Sequence, residues 1–238
     1  MKTALVLSGG GMFGAWQVGA WRAIADRLHP ELIVGASVGS LNGYAIAGGA
    51  SPEQLVEFWL RPELATLGTL PAIIQGMMER FPPRIEYAAV LTDLLRMKPR
   101  ISGHGEITWQ HLAASCAIPG VLPQYRIGGR LYSDGGLLNP LPVWAAVELG
   151  ATHIVALHAL PEIPSMWLKP FVKGFRFVAG HNPKLPAGVE LVTIQPEASL
   201  GSMSDALHWR RENVERWLEQ GYRAATNISL PICSGHLF

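Results

Sequence analysis

Gly35-Ala36-Ser37-Val38-Gly39 is the stretch that decides how this chain folds. It follows a short apolar run, Leu32 to Val34, and precedes a run of small residues with helical character, Leu41 to Ala47. A serine on a sharp strand-to-helix turn lifts its hydroxyl clear of the sheet, and glycines flank it because side chains would collide with the neighbouring strand and helix. The pentapeptide indicates an α/β sheet with Ser37 as a candidate nucleophile. A glycine-rich junction with an N-capping serine is the alternative.

The residues before this turn complete a strand–helix–strand unit. Thr3 to Leu7 is an apolar run typical of a buried parallel strand, and an amphipathic helix is predicted from about Ala15 to Leu28. Between them stands the glycine loop, Gly9-Gly10-Gly11-Met12-Phe13-Gly14. A right-handed crossover brings the carboxyl ends of parallel strands to one edge of the sheet. We therefore expect the glycine loop and Ser37 to emerge at the same edge.

The glycine loop is compatible with two chemistries. Gly9-x-Gly11-x-x-Gly14 between a strand and a helix fits a dinucleotide-binding fingerprint, which also needs an acidic residue near the end of the second strand. That strand ends at Val34 with no acid available, and no Gly-Lys-Ser/Thr follows the glycines to make a phosphate loop. Consecutive glycine N–H groups beside a helix N-terminus also form an oxyanion hole. The loop favours acyl transfer and leaves a dinucleotide-binding oxidoreductase as a distant alternative.

The composition indicates a soluble α/β protein of a reducing compartment. The 238 residues are 49% apolar with a formal net charge of +1, which gives no reason to expect nucleic acid as a partner. Cys116 and Cys233 form no CxxC or His/Cys cluster, which argues against a zinc site or a disulfide scaffold. No secretory signal or run of about 20 apolar residues is present. We expect a cytoplasmic protein of one domain over 1–238, with its motif-bearing core over about 1–160 and a loop, strand and helix over 161–238.

The remaining elements follow from local signals. Ser51 and Pro52 begin a helix. Helical patterns without strand alternation then continue to about Met97, and we interpret this stretch as an excursion of helices outside the sheet. A hairpin turn is predicted at Gly128-Gly129. The last predicted elements are strands over His153 to Ala159 and Glu190 to Ile194, and a long helix from about Ser204 to Ala225.

A serine nucleophile needs a proton acceptor, and Asp134 is the leading candidate. It follows a predicted strand, and Gly135-Gly136 behind it lets another group approach the carboxylate closely. A partly desolvated aspartate can accept the serine proton directly, because burial raises the pKa of a carboxyl group. A triad in the chain order serine, acid, histidine is the alternative. Its base would be His158, His181 or His208.

In this order and spacing, the glycine loop, the serine pentapeptide and Asp134-Gly135-Gly136 resemble the patatin-like phospholipase family. The resemblance covers roughly residues 1–49 and 113–157 well and the last helix weakly. Further matching runs are Leu41-Asn42-Gly43, Ala114 to Pro123, Asn139-Pro140, Pro142-Val143 and Gly221-Tyr222.

The resemblance implies a three-layer α/β/α fold with a mainly parallel central sheet. It implies hydrolysis of fatty acyl esters in phospholipids or other lipids, without a metal or cofactor. Ser37 would be the nucleophile and Asp134 the base of a dyad that needs no histidine. The residues lining the oxyanion hole would be Gly9, Gly10 and Gly11, and the other motif glycines are Gly14, Gly35, Gly39, Gly135 and Gly136.

Phe13 departs from the family's pattern, which commonly has Arg or Lys at this position. A cation there would reinforce the positive field of the glycine loop, and phenylalanine cannot do so. We therefore expect the dyad to survive with weaker turnover. A catalytically weak lipid- or partner-binding domain on the same fold is the competing function.

Two segments outside the motifs carry candidate lipid contacts. In 52–100, the residues that either line an acyl groove or pack between helices are Ile73, Ile74, Met77, Met78 and Phe81. In 161–186, aromatic residues alternate with cations, which suits peripheral contact with anionic head groups, and a loop packed over the site is the alternative. The residues expected to touch a membrane are Trp167, Phe171, Lys173 and Phe175.

Overall fold

The computed structural model describes residues 1–103, 105–161 and 184–230. Eight strands in these ranges form one central sheet, with helices on both of its faces. The fold is mixed α/β. The strands are β1 Thr3–Leu7, β2 Leu32–Ala36, β3 Glu86–Asp93, β4 Lys98–Gly103, β5 Tyr125–Ile127, β6 Arg130–Ser133, β7 His153–Leu157 and β8 Glu190–Ile194.

Eight α-helices lie in the described ranges. They are α1 Gly14–Ile24, α2 Val38–Ala47, α3 Pro52–Trp59, α4 Leu70–Arg80, α5 Trp109–Ser115, α6 Val143–Glu148, α7 Met203–Leu207 and α8 Arg211–Thr226. The predicted start of α3 is confirmed, because Ser51 and Gln54 form a reciprocal capping box with Pro52 in the first turn.

The strand order is β5-β6-β3-β2-β1-β7-β8, and β4 pairs with β3. β1 runs parallel to β2 and β7, with Leu7 opposite Gly35 on one side and Leu157 on the other. β2–β3 and β7–β8 are also parallel, whereas β4, β5 and β6 join by antiparallel pairing. The carboxyl ends of the central strands therefore meet at one edge, as the strand–helix–strand unit predicts.

Alternate residues of the central strands enter two separate cores. Leu5, Leu7 and Ile33 belong to the larger core, which they share with most of the helices. Val6 and Val34 point to the opposite face, where the helical partner among the described residues is α6. Because both faces are covered, these strands are apolar throughout rather than alternating.

The predicted excursion of helices as far as Met97 is wrong in its second half. Helices α3 and α4 end by Arg80, and β3 then enters the sheet directly beside β2. Every residue of β3 after Glu86 is buried, so the run has no alternation to mark it as a strand. β4 follows by an antiparallel turn.

The predicted long helix from Ser204 to Ala225 is also wrong, because two helices occupy this stretch. α7 ends at Leu207, and His208 and Arg210 have extended backbones with φ of −119° and −143°. Between them, Trp209 donates its indole N–H to the carbonyl of Trp59 at 2.9 Å. The helical backbone is thus interrupted around Trp209, whose side chain bonds to a residue 150 positions earlier in the chain.

Some predictions fall on residues that the structure does not describe. These are the membrane contacts Trp167, Phe171, Lys173 and Phe175, and the alternative base His181. Among the described helices, none combines the length and the apolar character required to cross a membrane. The division of the chain into a single domain stays a prediction.

Helices α1 and α8 cross in close contact, so the last described helix packs against the helix that follows the glycine loop. A Cβ atom at Gly19 would overlap the backbone carbonyl of Leu218, and one at Gly221 would overlap that of Trp16. The two helix backbones are therefore in direct contact. Any side chain at either glycine must push the helices apart.

Gly221→Ala is expected to lower the free energy of unfolding by about 2–3 kcal/mol, because the new methyl group overpacks this crossing. Denaturant titration of the full chain measures the change. Gly76→Ala is the matched control, since nothing lies within 4 Å of a Cβ built at this position of α4. Alanine there should be neutral or stabilising by up to about 1 kcal/mol. Equal effects of the two substitutions would contradict the close crossing.

Candidate active site

Ser37 stands at the junction between β2 and α2 in an unusual backbone conformation. Its φ is 53° and its ψ is −134°, in a region that residues with side chains seldom adopt. Such a conformation costs on the order of 1–3 kcal/mol and persists only where the surroundings enforce it. The predicted strand-to-helix turn is therefore present, and Ser37 caps α2 without a side-chain capping bond.

The two flanking glycines make this turn sterically possible. A Cβ at Gly35 would overlap the carbonyl of Gly39. A Cβ at Gly39 would lie 2.5 Å from the carbonyl oxygens of both Leu7 and Ser8, closer than packed atoms can come. The pentapeptide is thus pressed against the end of β1, which brings Ser37 next to the glycine loop.

Ser115 fixes the backbone of Ser37, and the sequence did not single it out for this role. Its hydroxyl accepts the N–H of Ser37 at 2.9 Å and donates to the carbonyl of Val90 at 2.8 Å. From the other side, the hydroxyl of Ser40 donates to the carbonyl of Ser37 at 2.6 Å. Both peptide groups of Ser37 are held, although Ser115 lies 78 residues away.

The glycine loop is anchored at its first residues. The N–H of Gly9 donates to the carbonyl of Pro140 at 2.8 Å, so this group is already engaged. Ser8 accepts the N–H of Ala159 at 2.9 Å, and the Gln17 side chain donates to the Ser8 carbonyl at 2.7 Å. The N–H groups of Gly10 and Gly11 donate to no group in the described part of the chain. These two N–H groups remain available to an incoming oxygen.

Asp134 is buried and held from several sides at the end of β6. Its Oδ1 accepts the N–H of Gly136 at 2.7 Å, and its backbone carbonyl accepts the hydroxyl of Thr92 at 2.8 Å. A Cβ at Gly135 would overlap the carbonyl of Val90, so β3 and this turn touch. The missed strand β3 therefore helps to position Asp134, whose backbone N–H also donates to the carbonyl of Ala117 at 3.1 Å.

The three motifs converge on one point at the sheet edge. A Cβ built on Gly9 would lie 3.2 Å from the Cβ of Ser37 and 3.7 Å from the Cα of Gly136. A Cβ built on Gly136 would in turn lie 3.0 Å from Oδ1 of Asp134. Gly9 thus lies between Ser37 and the turn that carries Asp134, and no hydrogen bond joins the two side chains in the structure. Catalytic hydrogen bonds often form only when substrate binds.

Among the described residues, Ser37 is bonded to neither of its two candidate kinds of base, aspartate or histidine. Ser37 makes no hydrogen bond to a histidine in residues 1–103, 105–161 and 184–230. His208 is exposed and its ring Nδ1 lies 2.8 Å from the carbonyl of Ser204. In the same ranges, no group of three His, Cys, Asp or Glu side chains is arranged to hold a metal ion.

Ser37 forms part of the wall of a cavity of about 510 Å³. Helices α2, α3 and α4 supply most of the apolar wall, including Leu41, Leu55 and Phe58. Of the five residues considered for an acyl groove, Ile73, Met77 and Phe81 line the cavity. Ile74 and Met78 pack into the core instead. The volume lies in the range of small-molecule sites, about 300–1,000 Å³.

Cys116 lines the same cavity but is not a rival nucleophile. Burial raises the pKa of its thiol strongly, and the negative charge of Asp134 raises it further. The thiolate is the reactive form of cysteine, so this side chain stays protonated and inert at neutral pH. It contributes a small apolar surface beside Ser37.

Phe13 is a core residue in this fold. Its side chain is 1% exposed and its ring meets that of Trp217 edge to face, with centroids 5.0 Å apart. Trp217 also donates its indole N–H to the carbonyl of Leu200 at 2.9 Å. At this position the chain has an aromatic contact with α8, which holds the glycine loop by packing rather than by charge.

Comparison with known proteins places this chain among proteins of one family. A family model described as patatin-like phospholipase matches residues 5–89 and 80–147, the ranges that hold the glycine loop, Ser37 and Asp134. An uncharacterized NTE family protein of Mycobacterium bovis is 30% identical over 202 residues, covering 72% of this chain and 56% of that protein. Patatin-like phospholipase domain-containing protein 6 of Homo sapiens is 30% identical over 179 residues, covering 65% of this chain and 13% of that protein.

One solved structure shows the likeness in three dimensions. The crystal structure of VipD from Legionella pneumophila superposes with a TM-score of 0.53 at 12% sequence identity, covering 94% of this chain and 66% of VipD. The likeness concerns the fold alone. The chain spans little more than half of the mycobacterial relative and a small part of the human one. Since the family match extends over more than half of the chain, this protein belongs to the patatin-like phospholipase family.

Proposed function

We propose that this chain is a serine hydrolase that cleaves fatty acyl esters of phospholipids or other lipids. Membership of the patatin-like phospholipase family supports lipid hydrolase activity. The observation that carries the finer proposal is the position of Gly9 between Ser37 and Gly136: a Cβ built on Gly9 would lie within 4 Å of both, and the N–H of Gly136 is bonded to the carboxylate of Asp134. This arrangement combines a nucleophile, a base and free backbone donors.

In the proposed mechanism, Ser37 Oγ attacks the ester carbonyl carbon while Asp134 accepts the hydroxyl proton. The carbonyl oxygen becomes an oxyanion, which accepts hydrogen bonds from the N–H groups of Gly10 and Gly11. Gly9 was expected to be a third donor, but its own N–H is bonded to the carbonyl of Pro140. Its contribution is to leave room for this contact, because it has no side chain. The positive N-terminus of α2 adds to the stabilisation.

The second half of the reaction reverses these roles. Asp134 returns the proton to the leaving alcohol oxygen as its bond to the acyl carbon breaks. Water then attacks the acyl-serine, gives a proton to Asp134, and the fatty acid leaves as the proton returns to Ser37. The water adds one hydroxyl to the acyl group and one hydrogen to the alcohol, so the two half-reactions balance.

The apolar cavity supports a long acyl chain as the part of the substrate that is held. Its wall contains Ser37 together with Leu41, Phe58 and Met77. Burial of a hydrocarbon chain against such a wall is favourable by about 0.8 kcal/mol per methylene group. The cytoplasmic location expected from the sequence belongs to this proposal as well.

Ser37→Ala and Asp134→Asn should each lower kcat for p-nitrophenyl ester hydrolysis by about a thousandfold or more, because each removes a member of the dyad. Activity near the wild-type level in either folded variant would contradict the dyad. Asp26→Asn makes the same chemical change at an exposed aspartate and should leave kcat unchanged. His208→Ala and His158→Ala should also retain activity, and a loss at either would favour a triad.

Labelling with a fluorophosphonate probe separates the enzyme from a binding domain on the same fold, because only an activated serine reacts. We expect one labelled residue, Ser37, identified by mass spectrometry after digestion. Labelling should disappear in Ser37→Ala and fall strongly in Asp134→Asn. A wild-type chain that is folded and unlabelled would favour the non-catalytic alternative.

Gly76 should set how much of the acyl chain the cavity accepts. It lies in the interior of α4 and lines the cavity, yet nothing lies within 4 Å of a Cβ built there. Glycine costs about 1 kcal/mol in a helix interior, and here no neighbour requires it. Gly76→Leu is therefore expected to lower kcat/KM for a palmitoyl ester about tenfold relative to a butyryl ester.

Gln75→Leu is the matched control for this ratio, since Gln75 is exposed on the same helix and is not part of the cavity wall. It should leave the palmitoyl-to-butyryl ratio within about twofold of wild type. Equal ratios in Gly76→Leu and wild type would show that the chain lies elsewhere. Hydrolysis of the butyryl ester reports separately that the catalytic site is intact.

A further inference from the structure

Two hairpins place cations around one exposed leucine at the edge of the sheet. The hairpin-tip patch consists of Leu95, Arg96, Lys98, Arg126 and Arg130. Leu95 is 72% exposed, and it stands among charged residues rather than in an apolar patch. It lies in the turn between β3 and β4, and Arg96 follows it directly.

Strand register brings the two hairpins together at this point. β3 and β6 pair antiparallel with Asp93 opposite Tyr132, and the N–H of Leu94 continues the ladder to the carbonyl of Leu131. Arg130 therefore stands beside the turn that contains Leu95. The β5–β6 turn at Gly128-Gly129 extends in the same direction. The β3–β4 turn and the β5–β6 turn therefore lie next to each other at one end of the sheet.

The turn that carries Leu95 has a defined shape. Oδ1 of the buried Asp93 accepts the N–H groups of Leu95 and Arg96, each at 3.1 Å. Its other carboxylate oxygen, Oδ2, lies 3.8 Å from the guanidinium of Arg130. The hydrogen bonds from the N–H groups of Leu95 and Arg96 to Asp93 fix this turn, with the side chain of Leu95 exposed.

The charge of the patch is positive. Four cations lie on the two hairpins that meet at this point. One of them, Arg130, is paired with Asp93, which is 4% exposed. The side chains of Arg96, Lys98 and Arg126 are exposed to solvent. The chain as a whole has a formal charge of only +1, so the attraction of this patch for anions is local to these side chains.

The patch faces the same direction as the catalytic edge. β3 runs parallel to β2 with Val90 opposite Ala36, so the three residues after Val90 continue past the turn that holds Ser37. Thr92 in this extension donates to the carbonyl of Asp134 at 2.8 Å. Leu95 therefore follows closely in sequence on Thr92, the residue of β3 that contacts Asp134.

We propose that the hairpin-tip patch docks on an anionic phospholipid surface and turns the catalytic edge toward the bilayer. Lys and Arg side chains attract anionic head groups, and an exposed apolar side chain between them enters the interface. A nucleic acid would use the cations but would leave Leu95 without a partner. This inference goes beyond the proposed function, and its primary measurement needs no catalysis.

The test is co-sedimentation of the full chain with vesicles of phosphatidylcholine alone and of phosphatidylcholine mixed with phosphatidylglycerol. Wild type should bind the mixed vesicles, and added salt should weaken binding because it screens the charges. The double variant Arg96→Glu/Lys98→Glu should lower the partition coefficient about tenfold or more. Leu95→Ser should lower it about fivefold, because the apolar insertion is lost.

Arg22→Glu/Arg223→Glu is the matched control, with the same change of charge at exposed cations on α1 and α8. It should bind the mixed vesicles as wild type does. Equal loss in the control and the patch variants would overturn the proposal, as would the absence of binding to the mixed vesicles by wild type. Binding of wild type to a DNA duplex in place of vesicles would identify nucleic acid as the partner instead. All variants should hydrolyse a soluble butyryl ester at the wild-type rate, and failure of wild type in this assay would count against the proposed function alone.

Discussion

The backbone of Ser37 is the constraint on which the site depends. Its φ of 53° is unfavourable by itself, and it is maintained by hydrogen bonds that start from different elements. Ser115 at the end of α5 links the Ser37 N–H to the Val90 carbonyl of β3, while Ser40 in α2 holds the Ser37 carbonyl. The sheet, α2 and α5 must therefore be assembled before the serine has its final conformation.

The glycine loop depends on the far end of the chain for its position. Phe13 in the loop packs edge to face on Trp217 of α8, and Gly221 of the same helix lies directly against the backbone of α1. The family's cation at this position would act through its charge. In this chain a buried aromatic pair holds the loop. Within the described part of the chain, the N–H groups of Gly10 and Gly11 donate to no other group.

The two surfaces around the site suit different parts of a lipid. The cavity beside Ser37 has an apolar wall from α2, α3 and α4, which matches hydrocarbon. The hairpin tips carry exposed cations, which match anionic head groups. A lipid that leaves a bilayer must exchange one apolar environment for another. An enzyme docked at the surface shortens the time for which the acyl chain of the lipid is exposed to water.

Much of the site could be predicted from the sequence, because its steric requirements are local. Gly35 and Gly39 are needed by a turn of five residues, and a glycine run after a buried strand marks a loop with free donors. The strand β3 could not be recognised, because burial on both faces removes the alternation that identifies a strand. The break before Arg211, the role of Ser115, the engagement of the Gly9 N–H and the alignment of the hairpin tips were decided by the tertiary structure. Each rests on hydrogen bonds or strand pairing between residues distant in sequence, and no local pattern encodes such partners.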